Sequence, residues 1–355
     1  MCVPKPAVSQ ASHGRVAAID GLRGLAILSV VLAHCFGIPG FPFPASILSN
    51  ALGNLGVRLF FVLSGFLITS LLLSEEMRSG TISLSGFYLR RSFRIFPAFY
   101  VYLGIVAFLA ALGIIQLSRH SFLTAAVYLS NYIPYYSAEH EVRHFWSLAV
   151  EEQFYLLWPL LFLLLRSKRK TLLLSVLVVL PVWRILIYSH TAWGFAETID
   201  RRFDAVADTL ATGCLLAVLN ARPEQITNLR RLVDSPWRFA ILSVGVLTAF
   251  TAERPRTYYG VGQTVINLCL AVLIDRVVRW PDSQMAKFFR ASWLVFTGRI
   301  SYSLYLWQQI FLRQGLPDTI WVPLAVPFSF MAAYVSFRVI EQPMLRFKDG
   351  LLKKA

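Results

Sequence analysis

Apolar residues run along this chain in blocks of about 17 to 22, broken by short loops that hold most of the charge. A helix of that length crosses the hydrocarbon core of a bilayer. Ten crossings are expected, at about 17–36, 55–74, 95–115, 146–165, 171–188, 204–220, 238–252, 258–274, 292–313 and 319–340. The stretch SFLTAAVYLSNYIPYY at 121–136 is also apolar, but Asn131 and Pro134 argue against a full crossing, and it reads as re-entrant or interfacial. The expected fold is an all-α integral membrane protein, a polytopic bundle of about ten transmembrane helices.

Charge orients that bundle. Ten crossings put the N-terminal segment 1–16, the loops 75–94, 166–170, 221–237 and 275–291, and the tail 341–355 on one side, together with most of the Lys and Arg. Cytoplasmic loops carry the excess of positive charge, so both termini are expected inside a bacterial cytoplasmic (inner) membrane. An eleventh crossing at 121–136 would instead place Arg166, Lys168, Arg169 and Lys170 outside.

Composition agrees: over 355 residues, 56% are hydrophobic and 15% charged, with a mean hydropathy of +0.59, which excludes an ordinary soluble domain. The net charge of +15 is spread over loops rather than gathered on one folded basic domain, so nucleic acid is not an expected partner. The surplus suits anionic lipid headgroups, or a polyanionic cytosolic donor such as a nucleotide or coenzyme A. Cys2, Cys35, Cys214 and Cys269 form no C-x-x-C pair, and neither a disulfide framework nor a metal site is expected. No repeat or long linker divides the chain, which reads as a single membrane domain over 1–355. The first apolar stretch shows no small-residue cleavage site and is expected to remain in the mature protein.

Ionisable residues inside apolar spans then mark candidate chemistry, because lipid penalises them. Arg23 and His34 lie eleven residues apart in the first span, which sets them on one helical face about 16 Å apart. An imidazole takes and returns a proton near neutral pH, whereas a guanidinium stays charged and favours anions. The alternative is structural: Arg23 snorkels beside Asp20, and His34 bonds a neighbouring helix.

Other constellations follow along the chain. Arg58 stands near the outer end of the second span, whose Gly53, Gly56 and Gly65 suit close helix packing. Arg91 and Arg94, three residues apart before Pro97, form a cationic pair suited to phosphate or to ordinary anchoring. The segment HFWSLAVEEQFYLLWP holds Trp146, Ser147, Glu151, Glu152, Gln153 and Tyr155, and its two consecutive carboxylates project about 100° apart. An aromatic belt with a solvated Glu151 is the structural alternative there. Asp204 with Asp208, and Arg299, Tyr302, Trp307 and Gln308, are expected to face the bundle interior, in ion pairs or against a ligand. Glu341, two residues before Pro343, is expected to end the last helix.

On these motifs the chain resembles the membrane-bound acyltransferase family 3, which includes bacterial O-antigen acetylases, rhizobial Nod-factor acetylases and macrolide acyltransferases. The resemblance rests on DGLRG with His34 eleven residues after Arg23, on GVRLFFVLSGFLI, on Arg91-x-x-Arg94, on HFWSLAVEEQFYLLWP, and on GRISYSLYLW, in that order. It implies an enzyme that moves an acyl group, commonly acetyl, from cytosolic acyl-CoA to a hydroxyl of a glycan or other acceptor. It maps the family's first-span arginine and histidine onto Arg23 and His34, its arginine pair onto Arg91 and Arg94, and its tryptophan-serine-leucine and double-glutamate segment onto Trp146 through Gln153. Relatives often have a histidine soon after the SYSLYLW run, where this chain has Gln308 and Gln309. No esterase-like domain is expected beyond the bundle.

The expected catalytic set is His34, Glu152 and Arg23, with Arg91, Arg94, Arg58, Trp146, Ser147, Glu151 and Tyr302 on the substrates. Coenzyme A phosphates would dock at Arg91 and Arg94. His34 would act as general base or carry the acyl group covalently, with Glu152 orienting its ring. Two other readings stand beside this one. In the first, a proton-coupled transporter or flippase binds an anionic or sugar-containing solute through Arg23, Arg58 and Glu152. In the second, an acyltransferase relative serves as a membrane partner without catalysis.

Overall fold

The computed structural model describes residues 13–36, 41, 47–134, 139–190, 196–235, 257–312 and 321–352, and among these every regular element is helical. Eight runs are long and apolar enough to cross a membrane: Ala17–Cys35, Ser49–Ser79, Leu84–Ala111, His140–Leu164, Arg169–Ser189, Phe203–Asn220, Tyr258–Arg279 and Pro323–Leu351. Each corresponds to an expected crossing. The crossing expected at 238–252 lies outside the described residues.

Two expectations are corrected. The crossing at 292–313 is two short helices, Ser292–Arg299 and Ser301–Phe311, because Ile300 between them leaves helical geometry (φ −91°, ψ 4°). Glu341 does not end the last helix. A π turn at Phe337–Glu341, closed by the Gln342 N–H on the Phe337 carbonyl, widens the hydrogen-bond ladder just before Pro343. That local adjustment absorbs the missing proline donor, and the helix runs on to Leu352. The expected tail therefore begins as helix.

The chain divides into two units. The first takes the start of α1 (His13–Cys35) through Ala26, the body of α2 (Ile47–Ser79), and the end of α6 (Phe145–Leu164) from Leu157. It continues through α7 (Arg169–Ser189), α8 (Phe203–Asn220), α9 (Thr227–Val233), α10 (Gln263–Arg279), α11 (Gln284–Phe289) and α12 (Ser292–Arg299). Two helix crossings in it are built on glycines that face each other's backbone. A methyl group at Gly24 of α1 would overlap the Leu294 carbonyl of α12, and one at Gly298 of α12 would overlap the Asp20 carbonyl of α1. The same reciprocity joins α2 and α8, where Gly65 meets the Leu210 carbonyl and Gly213 meets that of Val62. Small residues that let backbones approach are the main attractive device between helices in lipid.

Several charged side chains inside this unit are paired. Arg184 of α7 and Asp208 of α8 are both fully buried and joined by two hydrogen bonds of 2.8 and 3.0 Å. The same guanidinium donates to the carbonyls of Ala205 and Tyr259, each at 2.6 Å. Toward the other end of these helices Glu76 takes a bidentate pair from Arg169, at 2.6 and 2.9 Å, and a third contact from Arg166 at 2.7 Å. Asp275 likewise bridges Arg230 and Arg279. Part of the basic loop charge is thus consumed by carboxylates at helix ends.

The second unit holds the rest of α1 and α2, then α3 (Leu84–Ala111), α4 (Arg119–Ala126), α5 (His140–Arg143) and α6 through Leu156. It ends with α13 (Ser301–Phe311), α14 (Trp321–Ser336) and α15 (Gln342–Leu352). Its core is aromatic: Phe99 and Tyr102 of α3 are fully buried, Phe99 stacks on Tyr128 at 4.5 Å, and Tyr102 meets Phe145 and Trp307 edge-on, each at 5.5 Å. The segment expected to be re-entrant forms the two-turn α4 and a short 3-10 turn at Ser130–Tyr132, with 135–138 outside the described residues. Neither piece is long enough to cross a bilayer.

Removing one partner of a buried pair strands the other charge, which costs about 3–5 kcal/mol. Asp208→Ala is therefore expected to lower the thermal unfolding midpoint of the detergent-solubilised protein sharply. An unchanged midpoint would show that Arg184 finds another anion.

Candidate active site

The polar side chains of the second unit gather where the end of α1 meets α5, α6 and α13. His34, the penultimate residue of α1, places Nδ1 3.3 Å from Oε1 of Gln308 on α13. Gln308 is fully buried, and its Nε2 has no acceptor. The flanking residues of α13 bind the α5–α6 corner: the Tyr305 hydroxyl donates to the His144 carbonyl at 3.0 Å, and Gln309 Nε2 to the His140 carbonyl at 3.2 Å. His140 Nε2 in turn lies 2.9 Å from the Leu312 carbonyl. Positions 305, 308, 309 and 312 recur at i, i+3, i+4 and i+7, which is one helical face.

His144 stands in the same corner, buried against Tyr102, Phe145 and Tyr305, with both ring nitrogens unpartnered. The Ser147 hydroxyl is engaged by the Tyr305 hydroxyl and the His144 carbonyl, so its first role is to tie α6 to α13. Trp146, beside it, is partly exposed.

A second cluster forms lower on α6. Arg91 of α3 stacks its guanidinium 4.8 Å over the Tyr155 ring and interacts electrostatically with both Glu151 and Glu152. Glu152, expected to orient His34, interacts electrostatically with Arg91, and the hydrogen-bond partner of His34 is the neutral Gln308. Arg94, one turn further along α3, has no carboxylate partner among the described residues. The Tyr302 hydroxyl donates to the Ile95 carbonyl at 2.9 Å.

Gln153 and Asn131 form a reciprocal amide pair at 3.0 and 3.2 Å, and Gln153 also donates to the Tyr128 carbonyl at 2.9 Å. Tyr128 holds a left-handed backbone (φ 56°) that an aromatic residue rarely adopts, kept by this bond and by its stack on Phe99. The amide pair is what docks the 121–136 segment onto α6.

Within the first unit, Arg58 is 6% exposed and donates from Nη1 to Thr209 Oγ1 and Asn267 Oδ1, each at 3.1 Å. Both acceptors are neutral, and no carboxylate pairs with Arg58 among the described residues. Gln263, one turn before Asn267, is buried with both amide atoms unpartnered. Asp208 pairs with Arg184, and Asp204 with Arg202 at 3.0 Å, so these two serve intramolecular ion pairs. Arg23 belongs to this unit, although it shares the uninterrupted α1 with His34.

Sequence reasoning did not single out His144 or Tyr305, and it read Glu341 only as a helix end, whereas this buried carboxylate accepts a hydrogen bond from Ser303. His144 opens the HFWSLAVEEQFYLLWP segment and was available as a signal. Tyr305 looks like any aromatic helix residue, and its role exists only once α13 meets α6.

Contacting buried residues couple by about 0.5–3 kcal/mol in double-mutant cycles. Asn131→Ala and Gln153→Ala are expected to show coupling in that range in thermal unfolding, and strict additivity would refute the docking role of the pair.

The family model of an acyltransferase domain, Acyl_transf_3, matches residues 16–338. Peptidoglycan O-acetyltransferase OatA of Listeria monocytogenes is 30% identical over 373 residues, covering 96% of this chain and 57% of its own length. O-acetyltransferase OatA of Staphylococcus aureus is 32% identical over 355 residues, covering 92% of this chain and 56% of its own length. The chain thus spans a little over half the length of these curated relatives. No solved structure matches it. Every candidate residue from Arg23 to Tyr302 falls inside the stretch matched by the family model, and the chain belongs to this acyltransferase family.

Proposed function

We propose that the protein is a membrane O-acyltransferase that moves an acetyl group from acetyl-CoA to a hydroxyl of a cell-envelope glycan. The observation that carries this reading is a histidine, His34, whose ring is engaged by one buried neutral partner in a chain of the acyltransferase family. The names of the two relatives, an O-acetyltransferase and a peptidoglycan O-acetyltransferase, support acetyl as the group and a peptidoglycan-type glycan as the acceptor. The transport alternative finds no support in those relatives.

In the proposed reaction the imidazole of His34 takes the proton of the acceptor hydroxyl as its oxygen attacks the thioester carbonyl. A C–O bond forms, the C–S bond breaks, and the departing coenzyme A thiolate takes the proton back from the imidazolium. Atoms and charge balance with no further reactant. Arg94, without a carboxylate partner among the described residues, is the cation best suited to the donor's phosphates. Arg91 shares its charge with Glu151 and Glu152 and holds α3 against α6 at the edge of the donor path. Glu152 acts through Arg91. Within the second unit Trp146, Ser147 and Tyr302 take the substrate-contact role, and within the first unit Arg23 and Arg58 supply positive charge. The positive-inside rule supports a cytoplasmic donor side and cytoplasmic termini.

The test uses radiolabelled acetyl-CoA and peptidoglycan fragments with membranes containing the full chain. Wild-type protein should release coenzyme A and label the glycan. Loss of a general base typically costs about 10²- to 10⁴-fold, and His34→Ala should fall in that range; near wild-type turnover would remove His34 from the chemistry. Arg94→Gln should raise the KM for acetyl-CoA while leaving kcat close to wild type, and an unchanged KM would place the phosphates elsewhere.

A further inference from the structure

We infer that Gln308 is the positioning residue for His34: its side-chain oxygen takes the proton of Nδ1 in a hydrogen bond and thereby presents the Nε2 lone pair as the base. The inference rests on the proposed role of His34. A carboxamide oxygen has only lone pairs to offer, so Oε1 at 3.3 Å from Nδ1 selects the tautomer with hydrogen on Nδ1. The partner of one ring nitrogen then decides what the other can do.

Two further observations support this assignment. First, α13 is held against the α5–α6 corner on both sides of Gln308, by Tyr305 on the His144 carbonyl and by Gln309 and Leu312 on His140. These contacts give the carboxamide a fixed place relative to the corner and the end of α1. Second, Gln308 is fully buried while its Nε2 lacks any acceptor. Burying an unpaired amide N–H is unfavourable, and a hydrophobic residue would fill the same space without that cost. A glutamine kept there at such a cost is explained by its oxygen.

The chemistry predicts an order of variants opposite to that of packing. Gln308→Glu keeps an accepting oxygen at the same reach but buries a carboxyl group, whereas Gln308→Leu keeps the volume and removes the acceptor. Full-length protein carrying each change, with His34→Ala in parallel, is assayed for acetyl-CoA turnover in membranes, and folding is checked by the elution of the solubilised protein. Gln308→Met replaces the leucine variant should that one fail to fold. Removing the outer hydrogen-bond partner of a metal-bound histidine costs about 10- to 100-fold, and a fall of the same order is expected for this ring. The expected result is that fall in kcat for Gln308→Leu, with the KM for acetyl-CoA unchanged and substantially more turnover left in Gln308→Glu. Turnover in the leucine variant equal to or above that in the glutamate variant overturns the inference. Inactive His34→Ala beside an active Gln308→Leu rejects the role of Gln308 alone. Active His34→Ala rejects the reading of His34 and this inference with it.

Discussion

Within an apolar bundle every polar side chain must find its partner inside the protein, because lipid supplies none. That constraint accounts for most of what is unusual here. Arg184 meets Asp208 and two carbonyls, Glu76 gathers two arginines, and Asn131 locks onto Gln153. These pairs are what allow helices so rich in leucine, valine and phenylalanine to carry charge at all. Against that background the buried atoms without a partner include the amide nitrogen of Gln308, the amide oxygen of Gln309, the indole nitrogen of Trp307, both nitrogens of His144 and the amide of Gln263. Arg58 is a buried cation held by neutral acceptors.

Much of the architecture was legible in the sequence because hydrophobic length is a one-dimensional signal. Eight of the expected crossings appear as apolar helices, and the polar break at Asn131 and Pro134 does mark a segment that is not a single crossing helix. What periodicity does not contain is the hydrogen-bond ladder itself. The interruption at Ile300 and the π turn before Pro343 each shift it locally without disturbing the apolar pattern, so a continuous span and a broken one read alike.

The site was legible by residue type and less so by partner. Arg23, His34, Arg91 and Glu152 were recognisable as ionisable groups in apolar surroundings. Which partners they have depends on long-range packing: Glu152 interacts electrostatically with Arg91, while His34 meets a glutamine 274 positions away. Conversely, Ser147 and Tyr302 read as substrate contacts because polar residues near a candidate site are few. The fold spends both hydroxyls on other helices. The departure from the resemblance noted in the sequence, at Gln308 and Gln309, includes the residue that the structure puts against His34.

The reciprocal glycine contact between α1 and α12 also bears on movement. With the carbonyls of Leu294 and Asp20 occupying the places where side chains would begin, sliding α1 along α12 by a residue would drive a β-carbon into backbone. Piston motion of this part of α1 is therefore forbidden, and Arg23 sits on a stationary segment.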